Sequence, residues 1–253
     1  MDTMEETLEA VCLASQMILE SGGETYRAEE TVEKMCQGLG VRHVEVLALP
    51  TGLMLTVASG QDTFTRLVRV RDRAIDLGRI DACNDVSRRV AAGKLSAREA
   101  LEELRRIHLG KKDRRLLLIA ASALSAASFT VMLGGDWLDF FVSFFCGALV
   151  QMVLPPLNRL RVPTLISSMI AGALTTLLAL TATLGFPGVH IEPVISGAIM
   201  PLLPGLATTN AFRDTIKGDL VSGGARVIEA MLSCVMLAAG IGLMLSMWGG
   251  IGL

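Results

Sequence analysis

Apolar residues gather into five long runs in the second half of this chain, and charge is almost expelled from that half. The runs cover residues 116–133, 137–154, 163–184, 191–209 and 227–248. Each approaches or exceeds the ~20 apolar residues that a helix needs to cross a bilayer. Residues 1–115 hold 18 of the 23 Lys and Arg and 19 of the 25 Asp and Glu, leaving five basic and six acidic residues for the other 138. Such a division fits two regions with different solvents better than one globular core. The expected fold is a membrane protein, with an N-terminal cytoplasmic α+β domain over residues 1–113 and a five-helix transmembrane α bundle over residues 114–253.

The basic residues set the expected orientation, because Lys and Arg accumulate on the cytoplasmic side of membrane helices. Arg105, Arg106, Lys111, Lys112, Arg114 and Arg115 precede the first run. Arg159 and Arg161 lie between the second and third, and Arg213, Lys217 and Arg226 between the fourth and fifth. The connections around Gly135 and Gly188 carry none. A multi-pass inner-membrane chain with its N-terminus in the cytoplasm and Leu253 on the outer side accommodates all of them. The acidic start, Met1-Asp2-Thr3-Met4-Glu5-Glu6, has no adjoining apolar core and does not read as a signal peptide. Within the runs, small residues such as Ser122, Gly147, Gly172, Thr175 and Thr176 would let helix backbones approach closely.

Several function classes lack support. A formal net charge of −2 offers no basic excess to neutralise nucleic-acid phosphates. Cys12, Cys36, Cys83, Cys146 and Cys234 are scattered without a C-x-x-C pair, which indicates neither a disulfide framework nor a zinc site. His43, His108 and His190 are far apart in sequence, so no metal cluster or catalytic triad is expected, and no cofactor.

In the N-terminal region, Leu8, Val11, Cys12, Ser15 and Leu19 share one face of a helix over 5–20. A second amphipathic helix over 24–39 turns Ala28, Val32, Met35, Cys36 and Leu39 inward. The period then changes to three strands, 44–49, 53–58 and 64–70, separated by Pro50-Thr51-Gly52 and Ser59-Gly60-Gln61-Asp62. Helices over about 72–91 and 97–108 follow, the latter opened by the capping box Ser96-x-x-Glu99.

The fourth run is punctuated by Pro201-Leu202-Leu203-Pro204-Gly205. Proline removes a backbone donor and disrupts the preceding turn. In a bilayer the freed carbonyls are tolerated where protein or a water-lined cavity satisfies them, and a broken helix beside polar groups points to a transport site. The substrate-binding candidates are Pro201, Pro204, Gly205, Thr208, Thr209, Asn210 and Arg213. An opened turn exposes carbonyls and amides, Asn210 offers a donor and an acceptor, and Arg213 can grip a carboxylate with two parallel hydrogen bonds. Asp214, Asp219 and Glu229 are the proton-coupling candidates. Structural alternatives stand beside these. The prolines could simply kink a supported helix, Asp214 could pair with Arg213 or Lys217, and Arg226 could pair with Glu229 one turn on. The turn Ser21-Gly22-Gly23-Glu24-Thr25-Tyr26-Arg27 could bind an anion. It lacks Walker or dinucleotide spacing and reads foremost as a helix start.

Three segments together resemble the threonine/serine exporter family. They are Gly22-Gly23-Glu24-Thr25-Tyr26-Arg27-x-Glu29, the hairpin with Pro50-Thr51-Gly52, and Met200-Pro201-Leu202-x-Pro204-Gly205-x-x-x-Thr209-Asn210-x-x-Arg213-Asp214 followed by Gly218-Asp219-Leu220-x-Ser222-Gly223. The resemblance covers nearly the whole chain. It implies a subunit of a proton-driven exporter for small carboxylates, either threonine/serine or a C4-dicarboxylate such as succinate. Because the chain stops after its fifth run, the resemblance is to the first-half subunit of the family's split, two-component form. A small integral-membrane subunit of the same family is then the expected partner. A membrane-tethered hydrolase and a regulatory or scaffold subunit of the transporter are the alternatives.

Overall fold

A computed structural model describes residues 4–59, 62–110, 115–160 and 162–250. The expected turn at Gly60-Gln61, the basic residues Lys111, Lys112, Arg114 and Arg161, and Leu253 lie outside them. The chain divides into two compact units. One comprises Met1–Lys112 and Leu206–Ile228, the other Asp113–Gly205 and Glu229–Leu253.

In the first unit, helix α1 (Met4–Glu20) packs against helices α2 (Thr25–Gly38), α3 (Leu77–Ala91) and α4 (Ala97–Leu109). It also contacts an antiparallel sheet of order β1 (His43–Leu49), β2 (Gly52–Ser59) and β3 (Asp62–Arg69). The amphipathic face foreseen for α1 is buried, and so are Ala10, Ala14, Met17 and Ile18, which makes α1 the central core helix. On β2 the two-residue period sorts the faces, with Leu53, Leu55 and Val57 buried and Met54 and Ala58 exposed. The capping box forms, with Glu99 N–H donating to Ser96 Oγ and Ser96 N–H to the Glu99 carboxylate. An intact N-cap of this kind contributes about 1 kcal/mol.

The helix expected from residue 72 starts only at Leu77. Asp76 is its cap and accepts from Arg79 N–H at 2.9 Å. The residues before it are tied to the end of α1 instead, Ala74 N–H donating to Glu20 O and Asp76 N–H to Ser21 O. Those tertiary hydrogen bonds hold the segment out of the helix.

The second unit is built from helices α5 (Arg115–Met132), α6 (Trp137–Arg159), α7 (Thr164–Gly185), α8 (Ile191–Ile199) and most of α10 (Leu220–Gly250). Among the described residues, four helices are long and apolar enough to cross a membrane: Arg115–Met132, Trp137–Leu157, Thr164–Gly185 and Leu220–Gly250. A fifth span exists only if two shorter helices on either side of the Leu203-Pro204 break are counted as one. Helix α6 continues past the expected end at Leu154, through Pro155 and Pro156. Each proline forfeits a single donor there, and Leu160 N–H still reaches Pro156 O at 3.1 Å. Much of the apolar surface stays exposed, including Leu116, Leu117, Phe141 and Phe145, as suits helices solvated by lipid.

Several polar groups inside this unit are satisfied internally. The Thr130 and Ser143 hydroxyls lie 2.6 Å apart, and the buried Asp139 carboxylate accepts from the backbone N–H groups of His190 and Asp136. Its Oδ2 also lies 2.9 Å from His190 Nδ1. Asp136, Asp139 and His190 thus tie the α5–α6 turn to the start of α8. Helices α7 and α10 meet backbone to backbone. A Cβ on Gly172 would lie 2.3 Å from Leu237 O, and one on Gly240 2.0 Å from Met169 O.

Candidate functional site

The proline-punctuated segment breaks where the sequence demands it. Met200–Leu202 tightens into a single 3-10 turn, and Leu203 is extended at ψ 139°. That is the conformation imposed on a residue preceding proline. Helix α9 (Gly205–Ile216) begins immediately afterwards. It ends in a turn through Gly218 at φ +93°, and Asp219 then caps α10 by accepting from Ser222 N–H at 3.0 Å.

Spacing places Asn210, Arg213 and Asp214 within one turn of each other on α9. All three meet the Gly-rich turn between α1 and α2. Asn210 Nδ2 donates to Gly22 O at 2.7 Å, and Arg213 Nη1 to Glu24 Oε1 at 2.6 Å. Thr25 N–H donates to Asp214 Oδ1 at 3.2 Å, and Thr25 Oγ1 to Asp219 Oδ2 at 2.9 Å. From α10, Arg226 Nη2 donates to Gly23 O at 2.7 Å, while its Nε lies 3.1 Å from Asp214 Oδ2. Lys217 Nζ stands 5.3 Å over the Tyr26 ring. The turn needs its glycines. Gly22 sits at φ +79°, and a Cβ on Gly23 would fall 2.5 Å from Ile18 Cγ2.

This clasp is dry. Glu24, Thr25, Asn210, Asp214 and Arg226 are all buried. Ser21 Oγ and Ser222 Oγ are buried in the same segments with no hydrogen-bond partner among the described residues. Arg213 differs, its side chain being 57% exposed while that of its partner Glu24 is 5% exposed. Burial opposes ionisation of Glu24. The hydrogen bond from its own N–H, that from Arg213 and the charges of Arg27 and Arg213 outweigh burial and hold the carboxyl below its usual range.

Glu29, on α2, shows the opposite balance. Burial pushes its carboxyl up, the N–H of Ala48 at 2.8 Å pulls it down, and the carboxylates of Asp219, Glu33 and Asp214 raise it further. The native state therefore holds this proton more tightly than the unfolded chain does, and stability falls as pH rises from near 4.5 through the raised native value. Glu29→Gln keeps an oxygen for Ala48 N–H. It should raise the unfolding midpoint at about pH 7.5 and lose that advantage at and below about pH 4.5. Paired unfolding curves at the two pH values measure it, and an equal shift at both would refute the coupling.

Of the sequence candidates, Asn210, Arg213, Asp214 and Asp219 come together. Pro201, Pro204 and Gly205 form the break, Thr208 and Thr209 lie exposed on α9, and Glu229 is exposed on α10. Asp214 pairs with Arg226, and Arg213 with Glu24, so the pairing of Asp214 with Arg213 or Lys217 does not occur. Sequence reasoning did not find the receiving partners. The turn at Gly22–Thr25 was visible as a motif open to an anion, but nothing near it in sequence marked Asp214 as the carboxylate it meets, and Arg226 offered a nearer partner in Glu229.

A family model described as "Putative threonine/serine exporter" matches residues 9–248. The "Probable threonine/serine exporter" of Mycobacterium tuberculosis is 25% identical over 242 residues, 93% of this chain and 45% of that protein. This chain thus spans less than half of that relative's length. The "Probable succinate transporter subunit YjjP" of Klebsiella aerogenes is 25% identical over 235 residues, 92% of this chain and 90% of that protein. Its Escherichia coli counterpart is 23% identical over 235 residues and 91% of its own length. No solved structure matches the chain. With four membrane-length helices and a family match over nearly its whole length, the chain is a multi-pass membrane protein that belongs to the threonine/serine exporter family.

Proposed function

We propose that this chain is one subunit of an inner-membrane exporter for a small carboxylate-bearing metabolite, threonine/serine or a C4-dicarboxylate such as succinate. It works with a second small membrane subunit of the same family and draws on the proton gradient. Residues 1–113 form the cytoplasmic domain, and residues 114–253 hold five spans, the fourth broken at Pro201–Gly205. The match to nearly the full length of two named transporter subunits supports the two-component reading.

The observation that carries this proposal is the Arg213–Glu24 pair. A largely exposed guanidinium holds a carboxylate of its own chain at 2.6 Å. Glu24 stands where a cargo carboxylate would bind, so loading is an exchange of one carboxylate for another on Arg213. Asn210, Thr208 and Thr209 supply hydrogen bonds at the loading end, and Pro201, Pro204 and Gly205 keep the helix open. Asp214, Asp219 and Glu229 carry the coupled proton. Arg226 supports this, since Asp214 shares its single buried charge in a region where Glu29 also feels Asp219.

The test is efflux from cells that co-express the partner. Arg213→Ala should reduce efflux at least about tenfold. Arg213→Lys should not restore it, because an ammonium cannot reproduce the planar fork. Glu24→Gln should lower the cargo concentration needed for half-maximal efflux. Undiminished efflux from Arg213→Ala at equal membrane abundance removes Arg213 from the path.

A second reading, a regulatory subunit, draws on the same contacts, because Asn210, Asp214 and Arg226 spend polar groups on the chain's own turn. Full-rate transport by the reconstituted partner alone would select it.

A further inference from the structure

A cavity of about 420 Å3 in the first unit lies among four arginines. Arg69 comes from the end of β3, Arg71 and Arg73 from the connection that follows, and Arg79 from α3. Among the described residues two carboxylates, Glu20 and Asp72, line the same space. Among the described residues Arg69 and Arg71 make no ion pair. Like charges gathered around one cavity repel each other, and a bound anion relieves that repulsion.

The arginines are held in place. Their connection is pinned to the end of α1 by Ala74 N–H on Glu20 O at 2.8 Å and Asp76 N–H on Ser21 O at 3.2 Å. Arg79 Nη2 donates to His108 O at 3.4 Å. His108 also lines the cavity, and its Nδ1 is buried without a hydrogen-bond partner among the described residues, 3.9 Å from the Glu20 carboxylate.

The geometry points to a binding site for a phosphate group. Guanidinium forks arriving from three segments suit a tetrahedral oxyanion, whose oxygens face several directions, better than a carboxylate, whose two oxygens share one plane. Among the described residues no Phe, Tyr or Trp lines the cavity, and recognition rests on charge and hydrogen bonding. The phosphate belongs either to a free phosphorylated metabolite or to a lipid headgroup. Asp76 bonds to Ser21, the residue before the Gly22–Thr25 turn, so an occupied cavity adjoins the clasp on α9. The site stands whether or not the chain transports a carboxylate.

Calorimetry with inorganic phosphate and the full chain in phosphatidylcholine nanodiscs tests it. Saturable binding with Kd below about 1 mM is expected. The Arg71→Ala/Arg73→Ala variant should weaken binding at least about tenfold, whereas Arg88→Ala/Arg98→Ala, which removes equal charge from exposed pairs elsewhere, should leave it unchanged. Repeating the titration in discs containing phosphatidylglycerol assigns the source. Persistent binding supports a free ligand, and loss of binding supports a headgroup already seated there. No saturable binding in phosphatidylcholine discs, or equal weakening by both double variants, overturns the proposal.

Discussion

Replacing Arg226 with methionine should remove about 3–5 kcal/mol of stability, the loss typical when one partner of a buried ion pair is deleted. Arg226 is 4% exposed and Asp214 is fully buried, so Asp214 would be left in a dry site without its cation, held by hydrogen bonds from Thr25. Gly23 O would lose its donor at 2.7 Å as well. Arg213→Ala should cost far less, since the Arg213 side chain is largely exposed and water screens its charge. Asp214→Asn added to Arg226→Met should recover most of the loss, because the orphaned charge goes with it. Chemical denaturation in detergent micelles reads all four proteins. An Arg226→Met variant within about 0.5 kcal/mol of the parent would show that the pair does not hold the clasp.

Gly240→Ala should destabilise the helical unit by about 1–3 kcal/mol through overpacking. The added Cβ would stand 2.0 Å from Met169 O and 2.9 Å from Ala173 N, both backbone atoms of α7 that cannot rotate away. The helices must therefore separate, losing close contact that lipid does not replace. Gly172→Ala should act in the same way against Leu237 O, and the double variant should cost less than the sum, since one separation makes room for both methyl groups. Gly242→Ala is the internal control. Among the described residues no atom of a packing neighbour lies within 4 Å of its Cβ position, so the substitution should be neutral or gain helix propensity. Equal unfolding midpoints for Gly240→Ala and Gly242→Ala would refute the close approach.

Much of the local architecture is legible without coordinates. The face of α1, the alternation on β2 and the Ser96–Glu99 box follow from period and capping chemistry, which depend on neighbours a few residues apart. The break at Pro204 is equally local, since proline restricts the residue before it. The start of α3 was misplaced for a physical reason. Arg71-Asp72-Arg73 has acceptable helix propensity, but the backbone that follows it is tied at Ala74 and Asp76 to Glu20 and Ser21, and a partner some fifty residues away leaves no mark on the local pattern.

The candidate site divides along the same line. Composition, apolar run length and the position of basic residues are sums over the chain, so the sequence by itself determined a membrane protein with a broken fourth segment and a polar patch behind it. Pairing is different, because Asp214 had three cations within twelve residues and sequence distance favoured the wrong ones. Only the tertiary structure decided that Asp214 takes Arg226, that Arg213 takes Glu24, and that both close on the turn at Gly22–Thr25. The reason is desolvation. A charge moved out of water goes to whichever partner shares its dry surroundings, and burial is set by how segments nearly two hundred residues apart come to pack.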